Sequence, residues 1–100
     1  MALEIQVRFS KAGYDGLPLY DATSDAQETL TSSSSAVNGT KTASDGAMIC
    51  RLKAVGSGES YAAIGVGIVA TSSNGFLMGA GDVVDVGRVP KGSRLSVIDK

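Results

Sequence analysis

From Leu3 to Phe9 the chain alternates strictly, with Leu3, Ile5, Val7 and Phe9 on one parity and Glu4, Gln6 and Arg8 on the other. Period-two alternation of this kind predicts a half-buried β-strand. Gly13-Tyr14-Asp15-Gly16 then reads as a turn, and Pro18 disfavours a central strand. Leu17, Leu19 and Tyr20 are left as a short edge segment at most. Asp21 to Gln27 is polar and reads as loop, and Glu28 to Leu30 as the start of a strand. Ser32 to Ser35 and Asn38-Gly39 follow. Asn-Gly is a hairpin signal, but its flanks here are polar, and a wide loop or a weak strand pair is expected.

The second half is better patterned. Met48, Cys50, Leu52 and Ala54 share one parity, and Ile49, Arg51 and Lys53 the other, which predicts a strand with one apolar face and one mostly charged face. Gly56 to Ser60 breaks it. Tyr61 to Val69 is an apolar run of small residues, closed by Thr71-Ser72-Ser73-Asn74-Gly75. Phe76-Leu77-Met78 reads as a very short strand, and Gly79-Ala80-Gly81-Asp82 turns the chain. Val83 to Val89 alternates in part, Pro90-Lys91-Gly92 suits a type II turn, and Arg94 to Ile98 closes with Leu95 and Val97 on one parity.

No stretch has helical period. Short strands between glycine-rich turns define an all-β chain, expected as a small β-sandwich or partly open β-barrel of about seven to eight antiparallel strands. At 100 residues there is room for one domain over residues 1–100, with a loop-rich region 1–46 and a better-patterned region 47–100.

Charge narrows the function. Nine basic and ten acidic residues give a net charge of -1, and the basic ones are scattered along the sequence. Nucleic-acid binding, which relies on clustered cations, is not expected. Neither is a membrane role, because no apolar run approaches the roughly 20 residues of a spanning helix. The start Met1-Ala2-Leu3-Glu4 has no signal-peptide pattern, and Cys50 is the single cysteine. Synthesis in a reducing cytosol is expected.

Catalytic chemistry finds little to work with. Histidine is absent, which removes the commonest general base and metal ligand. Gly65-Val66-Gly67-Ile68-Val69-Ala70 fits the glycine pattern of a dinucleotide loop, but Thr71 to Gly75 cannot open the helix such a loop needs. Small residues for close strand packing are the better reading. Asp82 and Asp85 offer too few oxygens for calcium, and Asp15-Gly16 and Asp45-Gly46 are turn dipeptides. Cys50, on the apolar parity, is expected to be a buried, inert thiol. Ser32 to Ser35 reads as solvated loop. Tyr14, Tyr20 and Tyr61 are either core and rim residues or the lining of a carbohydrate- or ligand-binding face. No catalytic, cofactor or metal residue is assigned, no cofactor is expected, and the chain is read as a non-enzyme.

The order of segments from Ala47 to Ile98 resembles small structural proteins encoded among the head genes of tailed bacteriophages. The resemblance is carried by Ala47-Met48-Ile49-Cys50-Arg51-Leu52, Tyr61-Ala62-Ala63-Ile64-Gly65, the Thr71-Ser72-Ser73 loop, Phe76 to Gly81, and Gly92 to Ile98. It covers about half the chain, and Phe76 to Gly81 holds one residue more than that pattern. The resemblance implies a virion protein made in the host cytoplasm, a decoration (cement) protein binding the major capsid protein lattice at the capsid surface. By the same analogy it implies a homo-oligomer, with a trimer favoured. A tail or head-fibre component and a small carbohydrate- or ligand-binding module are the alternatives. The amphipathic strand Leu3, Ile5, Val7 and Phe9 has two possible uses. It pairs within its own sheet, or it adds to a strand of a partner as a contact segment.

Overall fold

A computed structural model describes residues 3–10, 26–43 and 48–100. The described residues hold eight strands: β1 Leu3–Ser10, β2 Ala26–Thr31, β3 Val37–Asn38, β4 Met48–Gly56, β5 Glu59–Val66, β6 Phe76–Gly79, β7 Val83–Val89 and β8 Ser93–Asp99. They form two four-stranded antiparallel sheets, one in the order β2-β1-β4-β7 and the other β3-β8-β5-β6. No described strand of one sheet pairs with the other, so the architecture is a β-sandwich and not a closed barrel. β1 faces β8, β2 faces β3 and β4 faces β6.

The core lies between the sheets and joins both halves of the sequence. From the first sheet come Leu3, Ile5, Val7, Phe9, Leu30, Cys50, Leu52, Ala54 and Val89, with Val84 and Val86 at the margin. From the second come Ala62, Met78, Leu95 and Val97, with Val37, Ile64 and Phe76 packed against them. The alternation of β1 is explained by this layering: every second residue meets the opposite sheet and the others meet solvent.

Several local expectations change. Ile49 shares the outward parity of Arg51 and Lys53 but is buried. The register shifts between Met48 and Ile49, which brings Ile49 opposite Gly87. A Cβ on Gly87 would stand 3.5 Å from Ile49 Cγ1, so the bare glycine leaves room for the side chain to lie down on the sheet. Asn38-Gly39 is not a hairpin turn. Asn38 pairs with Ser96 on β8, and Gly39 N donates to Leu95 O at 2.7 Å, so polar flanks prevailed over the dipeptide. At the β7–β8 connection Ser93 N donates to Pro90 O at 3.1 Å. Gly92, at φ 87°, is therefore the third residue of a type II-like turn, the position that needs positive φ. Pro90 is the first residue of that turn, not the second where proline is commonest.

Ser32 is a structural clasp and not solvated loop. It is 4% exposed. Its Oγ accepts from Leu3 N at 3.2 Å and donates to Asp99 Oδ1 at 2.6 Å, while Asp99 N donates to Ser33 O at 2.9 Å. One hydroxyl thus ties the start of β1 to the end of β8 across the sandwich. Ser33, Ser34 and Ser35 are exposed, as expected of the rest of that run.

Candidate functional site

The chemically richest surface is the outer face of the first sheet. Strand register stacks its outward residues in cross-strand rows. One row runs Gln27, Arg8, Arg51, Asp85, and the next runs Thr29, Gln6, Lys53, Val83. The third holds Thr31, Glu4 and Val55. All are exposed except Arg8, which is half-buried. Local sequence creates this face: the polar parity of β1 lies between a threonine- and glutamine-bearing β2 and the charged parity of β4.

Arg51 is fixed by a two-point contact with Asp85. Nε donates to Oδ1 at 2.8 Å and Nη2 to Oδ2 at 3.0 Å. The planar guanidinium and planar carboxylate match in this geometry. On its other side Arg51 stands directly opposite Arg8, and like charges so placed repel. A shallow depression of about 360 Å³ opens between these rows, lined by Gln6, Arg8, Gln27, Arg51, Lys53 and Val83. A second, of about 240 Å³, adjoins it and shares Gln6 and Lys53. The scatter of basic residues in the sequence hid this grouping; β1 and β4, far apart in the chain, bring the cations together.

The outer face of the second sheet differs, because the chain covers part of it. Segment 67–75 folds back over β5 and β8. Arg94 donates from Nε and Nη2 to Ile68 O at 3.0 and 2.9 Å. Ala70 N donates to Ser96 Oγ at 2.8 Å, and that hydroxyl donates to Asn38 Oδ1 at 2.7 Å. Thr71 N donates to Asn74 Oδ1 at 2.8 Å and Asn74 Nδ2 to Val69 O at 2.9 Å, closing the turn. Gly75 lies so near β5 that a Cβ on it would stand 3.0 Å from Tyr61 Cβ. The glycine-patterned run from Gly65 to Ala70 therefore ends a strand and begins this cover, and no helix follows it.

The residues singled out by sequence are distributed as follows. Leu3, Ile5, Val7 and Phe9 are at most 1% exposed, and β1 is hydrogen-bonded on both edges, to β2 and to β4. Of the two uses open to this strand, the structure shows pairing within its own sheet. A strand with both edges occupied cannot add to a partner, and its apolar side chains are spent on the core. Cys50 is fully buried. Burial pushes its thiol up to about 12, with the Asp85 carboxylate adding to the rise. Asp82 caps its own turn, its Oδ2 accepting from Gly79 N at 2.8 Å, and Asp85 is engaged with Arg51; neither joins the other in a cation site. Among the described residues no group of three or more His, Cys, Asp or Glu is placed to hold a metal ion. Tyr61 is half-buried on the second sheet between Ile98 and Leu77. Tyr14, Tyr20, Asp15-Gly16 and Asp45-Gly46 lie outside the described residues.

Comparison of the chain with known protein families, with characterised proteins and with solved structures finds no match. The fold and the surface together define a small two-sheet β-sandwich with a polar outer face on its first sheet. Among the described residues no helix is long and apolar enough to cross a membrane.

Proposed function

We propose that this chain is a non-catalytic docking module, a virion decoration protein that binds the assembled head of a tailed bacteriophage and stabilises it. The observation that supports this reading most is the polar outer face of the first sheet, continuous over three cross-strand rows whose residues are exposed except Arg8. A broad face of this kind suits contact with another protein surface better than enclosure of a small molecule. The resemblance of segment 47–98 to small phage head proteins supplies the identity of that surface, the major capsid protein lattice. A protein that binds the assembled shell and not free subunits stabilises the shell by mass action. Many modest contacts per particle then act together.

In this reading the chain also self-associates, as closed symmetric assemblies commonly do, with a trimer taken from the analogy. The test is to strip the protein from its particle and add the purified chain back. Binding in a fixed number of copies, with survival at higher temperature, is the expected result. Particles that bind none, or bind it without gain in durability, overturn the reading. Light scattering that returns one chain mass across a wide concentration range overturns the self-association.

A further inference from the structure

We propose that Asn74 is a self-modification site, where the chain converts this asparagine to aspartate or isoaspartate and so loosens the cover on its second sheet. The sequence holds two asparagines, Asn38 and Asn74, and each is followed by glycine. In an Asn-Gly pair the next backbone nitrogen reaches the asparagine side chain with least hindrance, because glycine has no Cβ. Both asparagines also belong to the hydrogen bonds that hold segment 67–75 on the sheet. Asn74 Oδ1 accepts from Thr71 N at 2.8 Å and Nδ2 donates to Val69 O at 2.9 Å. Asn38 Oδ1 accepts from Ser96 Oγ at 2.7 Å, and that same hydroxyl accepts from Ala70 N. Packing demands both glycines. A Cβ at Gly75 would stand 3.0 Å from Tyr61 Cβ and 3.2 Å from Ala62 O, and one at Gly39 would collide with Glu28 Oε1. A larger residue after either asparagine is thus excluded.

The reaction needs only water. Gly75 N gives its proton to solvent base and attacks Asn74 Cγ. The N–Cγ bond forms, the Cγ–Nδ2 bond breaks, and the side-chain nitrogen takes a proton from water and leaves as ammonia. Water then opens the cyclic imide. Addition at Cγ breaks the new bond and leaves aspartate. Addition at the backbone carbonyl breaks the original peptide bond and leaves isoaspartate, with the chain running through Cβ and Cγ. No oxidant or reductant takes part, and one negative charge is added. Local structure separates the two sites. Asn38 pairs with Ser96 in the sheet, and Gly39 is buried with its N–H held by Leu95 O at 2.7 Å. Asn74 lies in an exposed turn, and Gly75 is half-buried with its N–H 3.2 Å from Thr71 O, at the long end for such a bond. Conversion at Asn74 is also the more disruptive. A carboxylate has no hydrogen to donate, so a charged oxygen would replace Nδ2 against Val69 O. Isoaspartate in addition lengthens the backbone beside Gly75, which already packs closely on Tyr61. The turn loses its closure, and Ala63, Ala70 and Ser96, each at most 2% exposed, gain access to water.

The test is to incubate the purified full chain in mildly alkaline buffer and follow both sites by peptide mapping and mass spectrometry. Chromatography separates the aspartate and isoaspartate forms, and trypsin places Asn38 and Asn74 on different peptides. In the folded chain Asn74 is expected to convert roughly ten-fold or more faster than Asn38, the difference being set by how readily each site opens. In concentrated urea the two rates are expected to converge to within about two-fold, because the protection is gone. Comparable rates in the folded chain, faster conversion of Asn38, or no conversion of Asn74 until the chain is unfolded overturn the site. The consequence is read by hydrogen exchange at Ala70. Asn74→Asp, which reproduces the aspartate product, is expected to accelerate that exchange by roughly ten-fold. Asn38→Asp keeps an acceptor for Ser96 Oγ and is expected to change it by less than about two-fold. Equal acceleration by the two variants, or none from Asn74→Asp, overturns the loosening. The amide spectrum of each variant reports whether it is folded. Where Asn74→Asp does not fold, the aged wild-type chain with Asn74 converted takes its place, and exchange at Ala70 no faster than in the fresh chain overturns the loosening.

Discussion

The two sheets do opposite things with their outer faces. The first turns its large apolar side chains inward, Leu3, Ile5, Val7, Phe9 and Leu52 among them, and leaves a polar grid facing out. The second contributes a smaller inward set, Ala62, Met78, Leu95 and Val97, and has part of its outer face sealed by segment 67–75. Ala63 and Ser96, on the outward parity of β5 and β8, are buried as well. A sheet buried on one side has a surface to offer a partner. A sheet partly covered on its second side has spent that part of its surface on its own stability, and here the cover supplements a lighter share of the core.

The largest test of this contrast is in the core. Phe9→Ala should lower unfolding free energy by about 3–5 kcal/mol, measured by urea denaturation, because it empties the space of the largest fully buried side chain. A loss below about 1 kcal/mol would mean that the first sheet does not anchor the sandwich.

The next effect belongs to Cys50, whose folded value is about 12 against an ordinary 9.0. A thiol raised in the folded state binds its proton more tightly there than in the unfolded chain. Stability from this group is complete below about pH 9 and falls as pH rises toward 12. The slope is at most about 1.4 kcal/mol per pH unit. Denaturation midpoints measured from pH 8 to 11 should fall more steeply for the wild-type chain than for Cys50→Ala, and parallel curves would place the thiol in water.

A smaller loss, about 1–3 kcal/mol, is expected for Ser96→Ala, which leaves the Ala70 amide without its acceptor in a buried setting. Hydrogen exchange at Ala70 should accelerate with it. Unchanged exchange would show that segment 67–75 does not seal the second sheet through this hydroxyl. The smallest effect is on the open face. Arg51→Ala should cost roughly 0–1 kcal/mol, because its ion pair with Asp85 is 46% and 38% exposed on the two side chains. If Arg51→Ala proves as costly as Ser96→Ala in the same denaturation series, the two outer faces are energetically alike and the contrast between them fails.

How well the sequence announced each region follows the same division. β1 and the Cys50 to Ala54 part of β4 were legible because a sheet wet on one side must alternate, and alternation survives in a single sequence. β8 was half legible. Leu95 and Val97 marked its inward side, but nothing in the sequence marked Ser93 and Ser96 as buried, since a serine buried by a hydrogen bond is written like a serine in water. The candidate site was legible in part. Arg8, Arg51 and Lys53 were each assigned to an outward parity, yet their adjacency depends on which strands pair, and that is not written locally. Ser32 was hidden for the same reason, its partners Leu3 and Asp99 lying at opposite ends of the chain.

By itself the sequence determined the all-β class, the inward sides of β1 and of the Cys50 to Ala54 part of β4, the absence of histidine and the single apolar-parity cysteine. These follow from side-chain period and composition, which act residue by residue. Only the tertiary structure decided the pairing order β2-β1-β4-β7, the opposition of Arg8 and Arg51, the burial of Ile49 over Gly87 and the fold-back of segment 67–75. Each of these depends on contacts between residues distant in the chain, where packing and hydrogen bonding across the sandwich select one arrangement from many that the local pattern allows equally well.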